Sequence, residues 1–183
     1  MTPQRTSMIN PLRLRDARER LRQVSGTSPQ KFLFVDIPLQ RLFCIDGDAV
    51  TCEYPVSTSK YGVGNEDGSL KTPPGVHRVR EKYGDGAPVG RVFRDRIDTG
   101  EDWPVGLPGE NLILTRILRL EGCENGINRG QGIDSYDRYI YIHGTNNEQA
   151  IGSPASHGCV CMKNDDIVRL FDTVLEGTLV FID

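Results

Sequence analysis

The segment KFLFVDIPLQRLFCIDGDAVTCEYPVSTS, residues 31–59, constrains the fold most. Its short β-rich runs are separated by IPLQ and DGD, and turn-like breaks between such runs suit a meander or hairpin. The domain therefore opens as β. Downstream, RYIYIHG has the aromatic and β-branched content of a strand, and TLVFID closes the sheet. NLILTRILRLEG reads as a buried strand, with a short helix as the alternative, because periodicity alone does not separate the two. The 20 Gly and 11 Pro among 183 residues agree with many turns and exclude a helical bundle or coiled coil.

Two helices are expected beside these strands. In residues 12–24, LRLRDARERLRQV, the spacing of Leu14, Ala17, Leu21 and Val24 predicts an amphipathic helix whose arginines form a solvated face. In KNDDIVRLFDTVLEG, Asn164 is the N-cap candidate, Ile167, Leu170, Phe171 and Val174 share a face, and Gly177 supplies the stop. Between Lys60 and Asn111 the text is loop-rich apart from VHRVRE, and ends in EDWPVGLPGEN. Loops this long usually line or cover a site. One domain is expected over 31–183, preceded by an extension over 1–30 that carries the first helix.

Charge and cysteines bound the surroundings. With 22 Lys plus Arg against 25 Asp plus Glu, the net charge of -3 gives no footprint for nucleic acid. No apolar run approaches the roughly 20 residues of a membrane span. The Arg-rich start lacks the apolar segment of a secretory signal, so the expected compartment is the cytoplasm. Five cysteines is an odd number, without the dense spacing of a disulfide-stapled domain, and reduced thiols are expected. Cys44 and Cys52 then behave as small buried hydrophobes.

The chemistry concentrates in YIHGTNNEQAIGSPASHGCVCM, residues 141–162, which holds two of the three histidines and two of the five cysteines. A cysteine nucleophile needs a base or positive charge to form its thiolate, and the base needs an acceptor to fix its ring. His143 ends a strand and Cys159 follows the turn SHG, so a returning chain brings them together. The Gly158 and Cys159 amides would then face the oxyanion of an acyl intermediate. The rival is zinc, for which His143, His157, Cys159 and Cys161 are all possible ligands, but structural sites space their cysteines two to four residues apart rather than one.

These residues resemble the L,D-transpeptidase (YkuD-like) catalytic domain. The resemblance lies in His143-Gly144 at a strand end, Ile151-Gly152 in the loop, and Ser156-His157-Gly158-Cys159-Val160. PVSTS at 55–59, KTPPG at 71–75 and EGTLVFI near the end agree with it, so that it covers about residues 31–183. It implies a mainly β, sandwich-like domain with a short helix near the C-terminus. The implied substrate is the tetrapeptide stem of peptidoglycan, cut after the L-centre of its diamino acid to release the terminal D-alanine. Cys159 would be the nucleophile, and His143 the base, oriented by a carbonyl near Gly144. Ser156 and His157 would shape the site, and Gly158 would share the oxyanion hole with Cys159. No metal or organic cofactor is implied.

The chain departs from the family pattern at Cys161, where arginine or asparagine is usual. A thiol cannot replace an arginine's paired hydrogen bonds to a carboxylate; one of Arg78, Arg91, Arg94 and Arg96 in the loop region is an alternative for that task, with a surface charge the favoured reading of each. A resolving or redox role for Cys161 is also conceivable. The expected activity is an L,D-carboxypeptidase that trims recycled stem peptides. An exported L,D-transpeptidase and a non-catalytic peptidoglycan-binding domain are the alternatives.

Overall fold

The computed structural model describes residues 9–104 and 111–183. Part of EDWPVGLPGEN therefore lies outside the described residues.

The first helix, α1 (Pro11–Ser25), starts where Asn10 accepts the Leu12 N–H at 2.9 Å and Pro11 presets the first turn. It ends at Gly26, whose φ of 75° is the left-handed cap that glycine adopts without a Cβ penalty. Ala17 and Leu21 are fully buried against Phe32, Phe34, Phe43, Ile45 and Val76. The arginines are more than a solvated face. Arg13 pairs with Asp36 at 2.6 Å and Asp183 at 3.0 Å, Arg20 pairs with Glu124, and Arg18 lies over the Phe32 ring. They clamp the helix to the sheet.

The meander appears as β1 (Lys31–Asp36), β2 (Arg41–Asp46) and β3 (Ala49–Ser57). Then come β4 (Gly75–Tyr83), β5 (Arg91–Arg94), β6 (Ile97–Asp102), β7 (Ile113–Gly122), β8 (Tyr141–Thr145), β9 (Val160–Met162), α2 (Asn164–Thr173) and β10 (Leu179–Ile182). NLILTRILRLEG is thus a strand. The sheet runs β4-β10-β1-β2-β3-β9-β8-β7-β5-β6, and a further β4–β7 pairing joins its fourth and seventh strands. The expected layers are consequently parts of one sheet that closes on itself through eight strands, with β5–β6 as a hairpin on the side of β7. Closure leaves those eight without a free edge.

Alternation along the strands sorts the side chains. Leu33, Val35, Leu42, Val56, Leu118, Ile142, Val160 and Met162 form one core with Ile167, Leu170 and Phe171 of α2. A small third cluster, Phe93, Ile117 and Tyr141, takes in Tyr83 and Cys159. That cluster lies at the functional segment.

Three expectations are corrected. Cys44 and Cys52 form a disulfide, because β2 and β3 pair them directly across the hairpin. Asn164 lies inside α2 rather than capping it; Lys163 occupies the cap position without a side-chain bond, and the Asn164 N–H donates to Glu148 Oε1 at 2.7 Å. Gly177 does not stop the helix, which ends at Thr173, and its φ of 88° serves the turn before β10.

Candidate active site

The strand β8 runs parallel to β9 with Ile142 opposite Val160, His143 opposite Cys161 and Gly144 opposite Met162. This register, between strands 15 residues apart in the chain, decides which sulfur meets the imidazole. His143 Nε2 lies 3.7 Å from Cys161 Sγ. Its Nδ1 is 2.7 Å from the Gly144 carbonyl oxygen, which can only accept, so Nδ1 carries the proton and the Nε2 lone pair faces the thiol. The carbonyl that orients the ring is the expected one, whereas the sulfur within hydrogen-bonding reach is Cys161. Cys159 Sγ instead accepts from the Tyr141 N–H at 3.4 Å and points its own thiol at the Tyr139 carbonyl, 3.5 Å away.

The two thiols differ in access. Cys159 is partly exposed and Cys161 is buried. Burial holds the Cys159 thiol up, at about 11, although the Tyr141 N–H and the Arg138 charge pull the other way. Burial raises Cys161 further, with the Cys159 charge adding to it. The same desolvation brings His143 down to about 4, against the opposing pull of the Gly144 carbonyl. The resting site is therefore two neutral thiols beside a neutral imidazole.

Backbone turns hold the pair in place. Gly158 has a φ of 122°, and its carbonyl accepts from Thr72 Oγ1 at 2.9 Å. Thr72 also accepts the Ser59 N–H at 2.9 Å, and Ser59 bridges Ser156, so KTPPG and PVSTS both brace the SHGC turn. Ser156 Oγ donates to the Cys159 carbonyl at 2.6 Å and accepts from the Gly158 N–H at 3.3 Å. The Gly158 amide is thus lightly engaged. Gly144 is required for close approach: a Cβ there would meet Asn164 Oδ1 at 2.5 Å and the Leu114 carbonyl at 2.7 Å. Asn164 Nδ2 binds the Thr145 carbonyl and Glu148, and its Oδ1 accepts from Thr115, which ties α2 to the end of β8.

His157 is exposed, with Nδ1 3.2 Å from Asn111 Nδ2 and its ring beside Tyr61. Among the described residues no three His, Cys, Asp or Glu side chains converge on a common point for a metal. The remaining histidine, His77, is fully buried, bonded to Gly75 and Ser135 on β4. Sequence reading passed over Arg138 and Tyr141. Arg138 is half-buried, donates to the carbonyls of Gly64 and Lys71, and acts on the Cys159 thiol. Both stand in the RYIYIHG run read only as strand text: Arg138 lies in the turn before β8, and Tyr141 begins β8.

A narrow cleft of about 10 Å³, room for roughly one water, opens beside Cys161 between Ser57, Thr145 and Ser156. A separate cavity of about 410 Å³ is walled by Tyr83, Phe93 and Arg96. Tyr83 and Phe93 belong to the cluster that holds Cys159.

Comparison with known proteins identifies the family and the fold. A family model described as the L,D-transpeptidase catalytic domain (YkuD) matches residues 30–182. A protein of Escherichia coli named "Probable L,D-transpeptidase ErfK/SrfK" is 51% identical over 152 residues, 82% of this chain and 43% of its own length. The chain spans less than half the length of the curated relatives it matches. An L,D-transpeptidase from Mycobacterium smegmatis superposes with a TM-score of 0.52 at 16% identity, covering 84% of this chain and 58% of that one. L,D-transpeptidase 3 from Mycobacterium tuberculosis, solved with a faropenem-derived adduct, gives 0.50 at 19% identity, with 86% and 61% covered.

Proposed function

The chain belongs to the L,D-transpeptidase catalytic-domain family, and from that premise we propose that it is a cysteine-dependent acyl-transfer enzyme acting on the tetrapeptide stems of peptidoglycan. Cys159 is the nucleophile and His143 the base. The observation that carries this reading is the unprotonated Nε2 of His143 facing the CVC strand, with its other nitrogen fixed by the Gly144 carbonyl.

Free thiolate is not the resting species. Burial raises the thiol to about 11 and lowers the imidazole to about 4, so the neutral pair is favoured in the empty site. Deprotonation therefore accompanies attack. Cys159 Sγ bonds to the peptide carbonyl carbon while its proton passes to His143 Nε2, for which the Cys161 thiol must first turn aside. The Gly158 and Cys159 amides take the negative oxygen, the Gly158 N–H leaving its long contact with Ser156. As the tetrahedral centre collapses, the C–N bond breaks and Nε2 returns the proton to the leaving amine of D-alanine. Water then attacks the thioester carbon, gives a proton to Nε2, and the thiol regains it on release.

Water is the proposed acceptor, making the reaction an L,D-carboxypeptidation. The narrow cleft beside Cys161, with room for roughly one water, supports this reading. The Cys44–Cys52 disulfide favours an oxidising compartment over the cytoplasm expected from the sequence, because such bonds persist where thiols are not kept reduced. The test is a mass spectrum of a tetrapeptide stem incubated with the protein. Loss of one alanine supports hydrolysis. A crosslinked dimer or exchanged D-amino acid assigns transfer to an amine instead, and an unchanged peptide defeats both.

A second reading follows from one distance. Cys161 is the sulfur nearest His143, at 3.7 Å, so the nucleophile role could fall to it. Its burial weighs against this reading, and replacing each cysteine in turn decides it.

A further inference from the structure

We propose that Arg96 is the receptor for the free carboxylate of the residue that leaves, so that the site measures one residue from the peptide's end. The assignment rests on the stem-peptide reading above and concerns which part of that peptide is recognised.

Most of the other candidate arginines are committed, and Arg94, which has no ion-pair partner among the described residues, does not line the cavity beside Arg96. Arg78 pairs with Glu121 at 2.6 Å, and Arg91 with Asp98 at 2.8 Å and Asp102 at 2.6 Å. Arg119 pairs with Glu81 at 3.1 Å, Arg138 donates to backbone carbonyls, and Arg94 is exposed at the end of β5. Arg96 has no carboxylate partner among the described residues. Its Nη1 donates to Tyr141 Oη at 2.9 Å, and its guanidinium carbon lies 5.2 Å from the centre of the Tyr139 ring. The ring face attracts the guanidinium charge. One edge is thereby anchored, while Nε and Nη2 keep the paired-donor geometry that a carboxylate accepts.

The position fits the reaction. Tyr141, which holds Arg96 by its hydroxyl, donates its N–H to Cys159 Sγ at 3.4 Å, and Tyr139, under the guanidinium, accepts from that thiol. Arg96 lines the cavity of about 410 Å³, in whose wall Asp98 is held by Arg91 and Asp85 stands at the exposed mouth. The Cys161 side, where the family's arginine would stand, offers about 10 Å³. Carboxylate recognition has therefore moved across Cys159 to the β5–β6 turn, where Asp95 and Arg96 adopt φ of 47° and 69°.

The experiment compares a tetrapeptide stem ending in a free carboxylate with its C-terminal amide, and with a peptide amidated on the diamino-acid side chain. The wild-type protein is expected to show a KM about 10- to 100-fold higher for the C-terminal amide, the loss of one charge-assisted contact, with kcat little changed. Arg96→Gln should raise KM for the free acid by the same factor and leave the amide unaffected. Arg96→Lys should recover part of the difference, and Tyr141→Phe, which removes the hydroxyl that anchors Nη1, should weaken it without abolishing it. Alkylation of Cys159 by uncharged iodoacetamide should proceed at the wild-type rate in Arg96→Gln, whereas a collapsed site would change it and count against the assignment. Equal KM for acid and amide, or a preference that Arg96→Gln retains, overturns the assignment alone. Sensitivity only to the side-chain amide also overturns it. Failure to cleave any of the peptides overturns the stem-peptide reading, and this assignment with it.

Discussion

His143 Nε2 and Cys161 Sγ lie 3.7 Å apart, so the residue that stands where the family usually has arginine occupies the lone pair on which the base depends. A departure from the family pattern thus becomes a contact at the centre of the proposed chemistry. Cys159, in the signature position, lies two residues upstream, just before β9, and engages the chain at Tyr139 and Tyr141.

Cys161→Ala should remove the competitor for Nε2 and preserve or raise the rate of stem-peptide cleavage, because the ring is still oriented by Gly144. Cys159→Ala should lower kcat/KM by at least a thousand-fold with little effect on thermal stability. Steady-state rates for the two variants check this. Loss in Cys161→Ala alone would move the nucleophile to Cys161.

Two buried histidines make the fold acid-sensitive. Both His77 and His143 are held at about 4, below the ordinary 6.5, mainly by burial. The unfolded chain takes up protons below pH 6.5 that the folded chain refuses until about pH 4, so stability falls as pH is lowered through that window. The slope should approach about 1.4 kcal/mol per pH unit for each histidine. Urea unfolding between pH 6.5 and 5, above the range of most carboxylates, should show this decline; a flat profile would contradict it.

Gly144→Ala should destabilise the protein by about 1–3 kcal/mol, the usual cost of overpacking a filled site. The added methyl meets Asn164 Oδ1, which holds Thr115, and the Leu114 carbonyl, part of the β7 backbone paired with β8, so neither yields without disturbing β7. A lower melting temperature together with loss of activity is the expected outcome.

Thiol titration of the denatured, unreduced protein should count three free groups, Cys123, Cys159 and Cys161, rising to five after reduction. Five before reduction would remove the Cys44–Cys52 bond, and with it the argument for an oxidising compartment.

The elements legible in the sequence are those written in local pattern. The Leu14, Ala17, Leu21 and Val24 spacing marks α1, the IPLQ and DGD breaks mark the meander, and YIHG marks β8. The β5–β6 hairpin was hidden in loop-like text because its turn places Asp95 and Arg96, neither of them glycine, at positive φ. The place of Asn164 as the first residue of α2, one past the cap, was hidden for a related reason: the group that receives its N–H is Glu148, 16 residues upstream.

At the site, residue identity was readable and register was not. His143, Gly144, Ser156, Gly158 and Cys159 could be picked out from motif and spacing. Which sulfur faces the ring depends on the parallel pairing of β8 with β9, and the Cys44–Cys52 bond likewise depends on how β2 pairs with β3. Arg96 reaches Tyr141 across 45 residues, a contact that no local pattern encodes.

The most direct measurement is the site of covalent capture. Faropenem should acylate the protein once, and peptide mapping by mass spectrometry should find the adduct on Cys159, with none formed by Cys159→Ala. An adduct on Cys161, or an unmodified protein at saturating faropenem, would contradict the assignment of Cys159 as the nucleophile.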